Sequence, residues 1–138
     1  MARMNPYLYF NGNCEEAFNF YEGVFGKKVS YIGRYKDVPK QDRHIFQETN
    51  ENKIMHVTLD ISEETSLNGA DYTEGYEESK GYSNFGLIIH TEGKDEADRL
   101  YNELSKGGQK TLPMHITFWE SYYGNCIDKF GIMWKVTT

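Results

Sequence analysis

The sequence predicts an α+β fold of two tandem βαβββ modules, and three observations on its 138 residues carry that prediction. A capped amphipathic helix stands early in the chain. The same helical pattern returns 80 residues later. Three strand-like segments then follow each helix. Together these features predict one domain over residues 1–138, with module one at about 1–75 and module two at about 82–138. Neither half is large enough to be stable alone, so the halves are expected to pair. The expected product is a curved, largely antiparallel mixed sheet around a cleft, with the helices on its outer face.

The first helix starts near Asn13. Asn is a favourable N-cap, and Glu16 three residues on completes a capping-box pattern at the positive end of the helix dipole. Ala17, Phe20, Tyr21 and Val24 follow at i, i+3, i+4 and i+7 as one apolar face, and Gly26 supplies a left-handed stop. The second helix lies between Gly93 and Lys106. Its Ala97, Leu100, Tyr101 and Leu104 repeat the spacing, Glu96 answers Glu16, and Gly107-Gly108 closes it. By the same shift Tyr7-Leu8-Tyr9-Phe10 maps onto Leu87-Ile88-Ile89-His90, a strand before each helix. The later strands are read at Lys28–Tyr35, Ile54–Ile61 and Ser66–Asp71, then at Lys110–Met114, Tyr122–Asp128 and Met133–Thr137. Polar loops are expected around Val38–Gln41 and Thr49–Asn52. Tyr72–Gly81, rich in Gly, Glu and Ser, reads as an exposed link between the halves.

Composition narrows the function classes. Apolar residues at 38% and aromatics at 15%, with 11 Tyr and 8 Phe, make the aromatic rings a main source of core. A net charge of −6 argues against nucleic acid, which needs a basic face. No segment approaches the roughly 18 consecutive apolar residues of a membrane helix, and the N-terminus lacks the apolar core of a signal peptide. Cys14 and Cys126 match no CxxC pattern. A cytoplasmic protein with reduced thiols is the expectation.

Chemistry is concentrated in Thr117-Phe118-Trp119-Glu120-Ser121-Tyr122-Tyr123-Gly124. Its rings can stack on a planar or apolar ligand, with Glu120, Tyr122 or Tyr123 fixing orientation; the plainer alternative is a strand and turn that close the core. Trp119, at a turn before a strand, is the foremost candidate. Of His44, His56, His90 and His115, no pair shows helical metal-site spacing. His56 alternates with Ile54 and Thr58, opposite Met55, Val57 and Leu59. If those three face the helices, His56 faces the cleft. Cys14, in the first helical turn, is weighed between a dipole-activated thiol and an inert small residue, with inert the simpler reading. Arg34 and Lys36 bracket Tyr35 and can hold an anion or simply be solvated. Gly-rich phosphate loops and a GxSxG elbow are absent from the sequence.

The set Tyr7-Leu8-Tyr9-Phe10-Asn11-Gly12-Asn13-Cys14-Glu15-Glu16-Ala17, Ile54-Met55-His56, Thr117-Phe118-Trp119 and Asp128-Lys129-Phe130-Gly131…Trp134 resembles the PhnB-like branch of the vicinal oxygen chelate superfamily. That superfamily includes glyoxalase I, extradiol dioxygenases and bleomycin-resistance proteins. The resemblance spans nearly the whole chain and implies paired βαβββ modules, a pocket and a homodimer. It also implies a divalent-metal site of His and Glu at inward strand positions, which an ungapped reading places at Pro6, Asn68, Gly86 and Lys135. None of these is a His or Glu, so the glyoxalase-type metal is not expected. A methyltransferase name sometimes attached to this branch finds no Gly-rich strand-to-helix loop for an S-adenosylmethionine cofactor.

The leading expectation is a small-molecule-binding protein needing no cofactor. Ligand contact is assigned to His56, Phe118, Trp119 and Tyr123, with Phe10, Asn68 and Lys135 beside them; no catalytic residue is assigned. The alternative is an enzyme of the same superfamily, of lyase, isomerase or dioxygenase type, with a rearranged site. It would hold a divalent metal through His56 or use His56 and Tyr123 as metal-free acid and base. A third reading is a structural dimer module.

Overall fold

The computed structural model describes residues 2–45, 51–72 and 85–138. The predicted link Tyr72–Gly81 therefore falls almost wholly outside the described residues, as does Thr49–Asn50 of the second polar loop. The chain forms two compact units, Met1–Lys80 and Gly81–Thr138. Unit 1 runs β1 (Tyr7–Phe10), α1 (Cys14–Phe25), β2 (Val29–Arg34), β3 (Ile54–Asp60) and β4 (Ser66–Asp71); short 3-10 turns at Tyr35–Asp37 and Lys40–Ile45 lie between β2 and β3. Unit 2 runs β5 (Leu87–His90), α2 (Lys94–Ser105), β6 (Gln109–Ile116), β7 (Tyr122–Ile127) and β8 (Met133–Thr137). Each unit has a four-stranded mixed sheet, ordered β1-β4-β3-β2 and β5-β8-β7-β6. The first and last strands of each unit pair in parallel, and the remaining pairs are antiparallel. The two tandem βαβββ modules of an α+β fold are present as predicted. No helix among the described residues is long and apolar enough to cross a membrane.

Each helix buries its apolar stripe on its own sheet. In α1 the buried residues are Cys14, Ala17, Phe18, Tyr21 and Val24. Phe18, not the predicted Phe20, completes the stripe; it meets Tyr21 edge-on at 5.6 Å and Phe10 at 6.3 Å. In α2, Ala97, Leu100, Tyr101 and Leu104 are buried as the spacing predicted. Gly26 closes α1 at φ 63°, in the left-handed region that glycine adopts without strain.

The start of α1 departs from the sequence reading. Asn13 makes no side-chain cap. The cap comes from Asp71, at the end of β4, whose Oδ1 accepts the Cys14 N–H at 3.0 Å. Its Oδ2 accepts the Ile54 N–H at 2.8 Å, so one carboxylate fastens α1 and the beginning of β3 to β4. Asp71 is only 3% exposed, and an ionised carboxylate at that depth requires such donors. Unit 2 has an equally buried carboxylate at another place in the fold, Asp128 just after β7. Its Oδ1 accepts the Phe130 and Ile132 N–H groups, and its Oδ2 accepts Trp134 Nε1–H at 2.8 Å. The Asp128-Lys129-Phe130-Gly131…Trp134 motif is thus a turn tied to a core ring.

Two details change which side chains share a face. A bulge lies between β2 and β3, where Gly33 pairs with His56 and Arg34 with Ile54, which leaves Met55 unpaired. Ile54 is buried at 1% exposure, and Met55 is not in the core. The constant shift of 80 holds for the helices but not for the opening strands. Leu8 and Phe10 are buried under α1, whereas Ile88, which the shift equates with Leu8, is 52% exposed. The alternation of β5 is one residue out of step with that of β1.

Asp71→Ala leaves two buried N–H groups without acceptors, each worth about 1–3 kcal/mol. Urea unfolding is expected to show a loss of roughly 2–5 kcal/mol, with Asp71→Asn intermediate. Gly108 is a second constraint, because a Cβ there would stand 2.0 Å from the Ile127 carbonyl oxygen. Gly108→Ala should cost about 1–3 kcal/mol or more in the same assay by forcing β6 away from β7.

Candidate functional site

In unit 1 the helix-facing residues Leu8, Phe10, Val57, Leu59 and Leu67 are buried. The alternate positions turn the other way, and register sets them side by side: Tyr7 opposite Asn68, and Asn68 opposite Thr58. Their polar groups form one chain. Tyr7 Oη lies 2.9 Å from His56 Nδ1, and His56 Nε2 lies 3.0 Å from Thr58 Oγ1. Thr58 Oγ1 donates to Asn68 Oδ1 at 2.9 Å, and Asn68 Nδ2 donates to the Pro6 carbonyl at 3.4 Å.

Aromatic rings surround this chain. Tyr7 lies 5.1 Å from Tyr9, and Tyr9 stacks on Tyr72 at 5.3 Å with planes 6° apart. His56 lies 5.3 Å from the Tyr7 ring and 5.9 Å from that of Tyr31. Burial, with smaller contributions from Tyr9, Tyr35 and Cys14, pushes the Tyr7 phenol up to about 12, so it keeps its proton at neutral pH. Tyr9 and Tyr31 stay about half exposed, a surface that can meet a planar ligand.

The aromatic cluster of unit 2 is also assembled. Phe118 and Trp119 meet edge-on at 4.7 Å, and Tyr123 stands 6.1 Å from Trp119 and 6.4 Å from His115. Phe118 and Trp119 are exposed on the turn after β6, and Glu120 there has φ 66°. Thr117 closes this turn, its hydroxyl oxygen accepting the Ser121 N–H. Tyr122 faces differently: its hydroxyl donates to Asp98 of α2 at 2.6 Å, which raises the phenol's pKa. Lys135 pairs with Ile88 on one side and Asn125 on the other. Asn125 Oδ1 is buried without a hydrogen-bond partner.

The predicted residues thus divide. His56 and Asn68 share one network in unit 1; Phe118, Trp119 and Tyr123 share a cluster in unit 2; Lys135 sits on β8. Phe10 is a correction, because at 4% exposure it packs on Phe18 beneath α1 and presents no ring to a ligand. Pro6 is another. It shares the alternation of Leu8, and the residue that faces Asn68 across the register is Tyr7. His44 lies in the Lys40–Ile45 turn, and its side chain is outside the description. Arg34 is committed to an ion pair with Glu15. The sequence reading missed Tyr7, Tyr9 and Tyr31. In Tyr7-Leu8-Tyr9-Phe10 every residue is apolar or aromatic, and the signal was that hydroxyl-bearing rings take alternate positions.

The donor set a glyoxalase-type metal needs is not supplied at these positions. The paired residues are Tyr7 with Asn68 and Ile88 with Lys135, where His and Glu would be required. Among the described residues no group of three or more His, Cys, Asp or Glu side chains can hold a metal ion.

The fold is that of glyoxalase and bleomycin-resistance proteins. A glyoxylase/bleomycin resistance protein/dioxygenase domain from Frankia sp. EAN1pec shares it with a TM-score of 0.68 at 14% identity, over 99% of this chain and 90% of that one. Within that class, residues 2–137 match the family described as 3-demethylubiquinone-9 3-methyltransferase, and the chain belongs to it. It is similar to PA1353 from Pseudomonas aeruginosa, 31% identical over 99% of this chain and 96% of that one, with a TM-score of 0.84. It also resembles the putative 3-demethylubiquinone-9 3-methyltransferase, PhnB protein, of Bacillus cereus (22% identical, 99% and 98% covered, TM-score 0.78). Protein YjdN of Escherichia coli (strain K12) is 25% identical over 136 residues, 96% of this chain and 92% of that protein. The family description names a methyl transfer, but these mixed four-stranded sheets do not supply the doubly wound parallel sheet and Gly-rich first turn of a nucleotide-type cofactor site.

Neither thiol is activated. Cys14 is fully buried, and burial, then the charges of Asp71 and Glu15, push its pKa up, against the dipole-activated alternative. Burial, then Asp128, pushes Cys126 to about 11 from 9.0. Raised values favour the neutral thiol in the folded state. That stabilisation is complete below the ordinary thiol range and fades as pH rises toward 11. A disulfide reagent at mildly alkaline pH should label neither cysteine until urea unfolds the chain; labelling of native protein would contradict this burial.

Proposed function

We propose that the protein binds a small aromatic or amphipathic molecule and needs no glyoxalase-type metal to do so. The observation that carries this reading is the unit 1 face, where Tyr7, Tyr9 and Tyr31 surround the His56–Thr58–Asn68 chain. Half-exposed rings give affinity through stacking, and a few fixed polar groups give orientation, which is the composition of a small-molecule site. The unit 2 rings Phe118, Trp119 and Tyr123, with Lys135, are a second surface of the same composition. A homodimer is part of the proposal, and light scattering on the purified protein measures it.

The test is calorimetric titration of chelator-treated protein with a panel of planar aromatic compounds. Binding should survive metal removal. Tyr9→Ala or His56→Ala should weaken it about tenfold, or ~1.4 kcal/mol. Trp119→Ala reports whether unit 2 takes part. Binding that appears only after adding Zn, Ni, Fe or Mn would refute the metal-free reading.

The Tyr7–His56 contact favours one second reading, a metal-free acid–base enzyme of the same superfamily. Within unit 1 the partner of His56 is the Tyr7 phenol, 2.9 Å from Nδ1. Under this reading a bound compound is converted, and His56→Gln abolishes conversion even at compound concentrations that saturate the variant.

A further inference from the structure

We propose that His56 is held as the Nε2–H tautomer, that Tyr7 therefore turns an acceptor oxygen to its ligand, and that this face selects a protonated amine carried on a planar body. The proposal rests on the small-molecule reading above and names the ligand class for the unit 1 face.

The assignment follows link by link from what each group can donate. The Pro6 carbonyl can only accept, so the Asn68 atom 3.4 Å from it is Nδ2; the flipped amide would set oxygen against oxygen. Asn68 Oδ1 then faces Thr58 and takes that hydroxyl's single proton at 2.9 Å. With its proton committed, Thr58 Oγ1 can only accept from His56 Nε2 at 3.0 Å, so Nε2 bears hydrogen. In the neutral imidazole Nδ1 is then a lone pair, and Tyr7 donates its phenolic proton to it at 2.9 Å. Every proton in the chain is assigned, and the Tyr7 oxygen is left with acceptor capacity alone.

An acceptor oxygen selects ligands that bring a donor. The rings around it select the same sign of charge. Tyr7, Tyr9 and Tyr31 are partly exposed aromatic residues, and an ammonium over an aromatic face is attracted by the ring quadrupole, whereas a carboxylate is not. The Tyr9–Tyr72 stack and the Tyr31 ring offer planar surface for the body of the molecule. An amine on a flat ring satisfies all of these together. The protein's net charge of −6 favours approach of a cation.

Two measurements test this. Long-range nitrogen–proton NMR of histidine-labelled protein at mildly alkaline pH, with His56→Gln to assign the signal, should show a protonated Nε2 and a bare Nδ1. The opposite tautomer overturns the proposal. Calorimetry then compares tryptamine, indole-3-acetate and indole. Tryptamine should bind about tenfold more tightly than the other two. Tyr7→Phe should bring tryptamine down to the affinity that the same variant has for indole; Thr58→Val should reduce the preference, and Thr58→Ser should keep it. Equal affinity for all three, tighter binding of the acetate, or a preference that survives Tyr7→Phe overturns the amine inference and leaves the binding reading standing. No binding of these three or of the wider aromatic panel removes both.

Discussion

The buried carboxylate of Asp71 is the constraint on which unit 1 depends. Its two oxygens accept N–H groups that belong to a helix and a strand far away in sequence, Cys14 and Ile54. A buried charge is tolerated only where such donors meet it, so α1, β3 and the end of β4 are held in one arrangement or the site loses its partners. That arrangement fixes which way β4 faces. With Asp71 and Leu67 turned to α1, Asn68 must turn away, and the register carries Tyr7 and Thr58 with it. The proposed site is therefore set by a group that takes no part in it.

Unit 2 reaches the same chain order with a different fastening. Asp128 organises a tight turn and holds the Trp134 indole, whereas the start of α2 relies on Glu96 accepting the Glu92 N–H and on Thr91 donating to Gly93. What repeats between the units is the apolar frame of Ala17 and Ala97, Tyr21 and Tyr101, Val24 and Leu104, all buried. The polar groups have diverged. One face carries a closed hydrogen-bond chain; the other carries Lys135 and the unpartnered Asn125 Oδ1. A duplicated fold conserves what packing demands and leaves the polar positions free to differ.

This division also explains what the sequence could reveal. Helices and strands announced themselves because their periods of 3.6 and 2 are local, and Ser66–Asp71 and Met133–Thr137 were legible to the residue. The N-cap of α1 was not, since its partner stands 57 residues away and Asn13 offers a plausible local substitute. The bulge at Met55 shifted one step of alternation, which is why Ile54 is core although it was grouped with His56. Phe20 fitted the helical spacing as well as Phe18, and only the position of the sheet distinguishes them. Phe10 was misplaced for a related reason: in a run of rings, hydrophobicity does not mark the inner face.

The same physics bears on what this family member does. The glyoxalase-type metal site that the resemblance implies would need imidazole and carboxylate at inward strand positions, groups that meet a cation with lone pairs. Here the register sets a phenol beside an amide, and an aliphatic side chain beside an ammonium. Such groups suit the proposed recognition of a ligand by hydrogen bonding, stacking and charge. The family description names a transfer reaction, yet a fold hosts whatever chemistry its side chains allow. In unit 1 they fit the proposed orientation of a flat molecule against a hydrogen-bond chain that runs outward from the Pro6 carbonyl through Asn68, Thr58 and His56 to Tyr7.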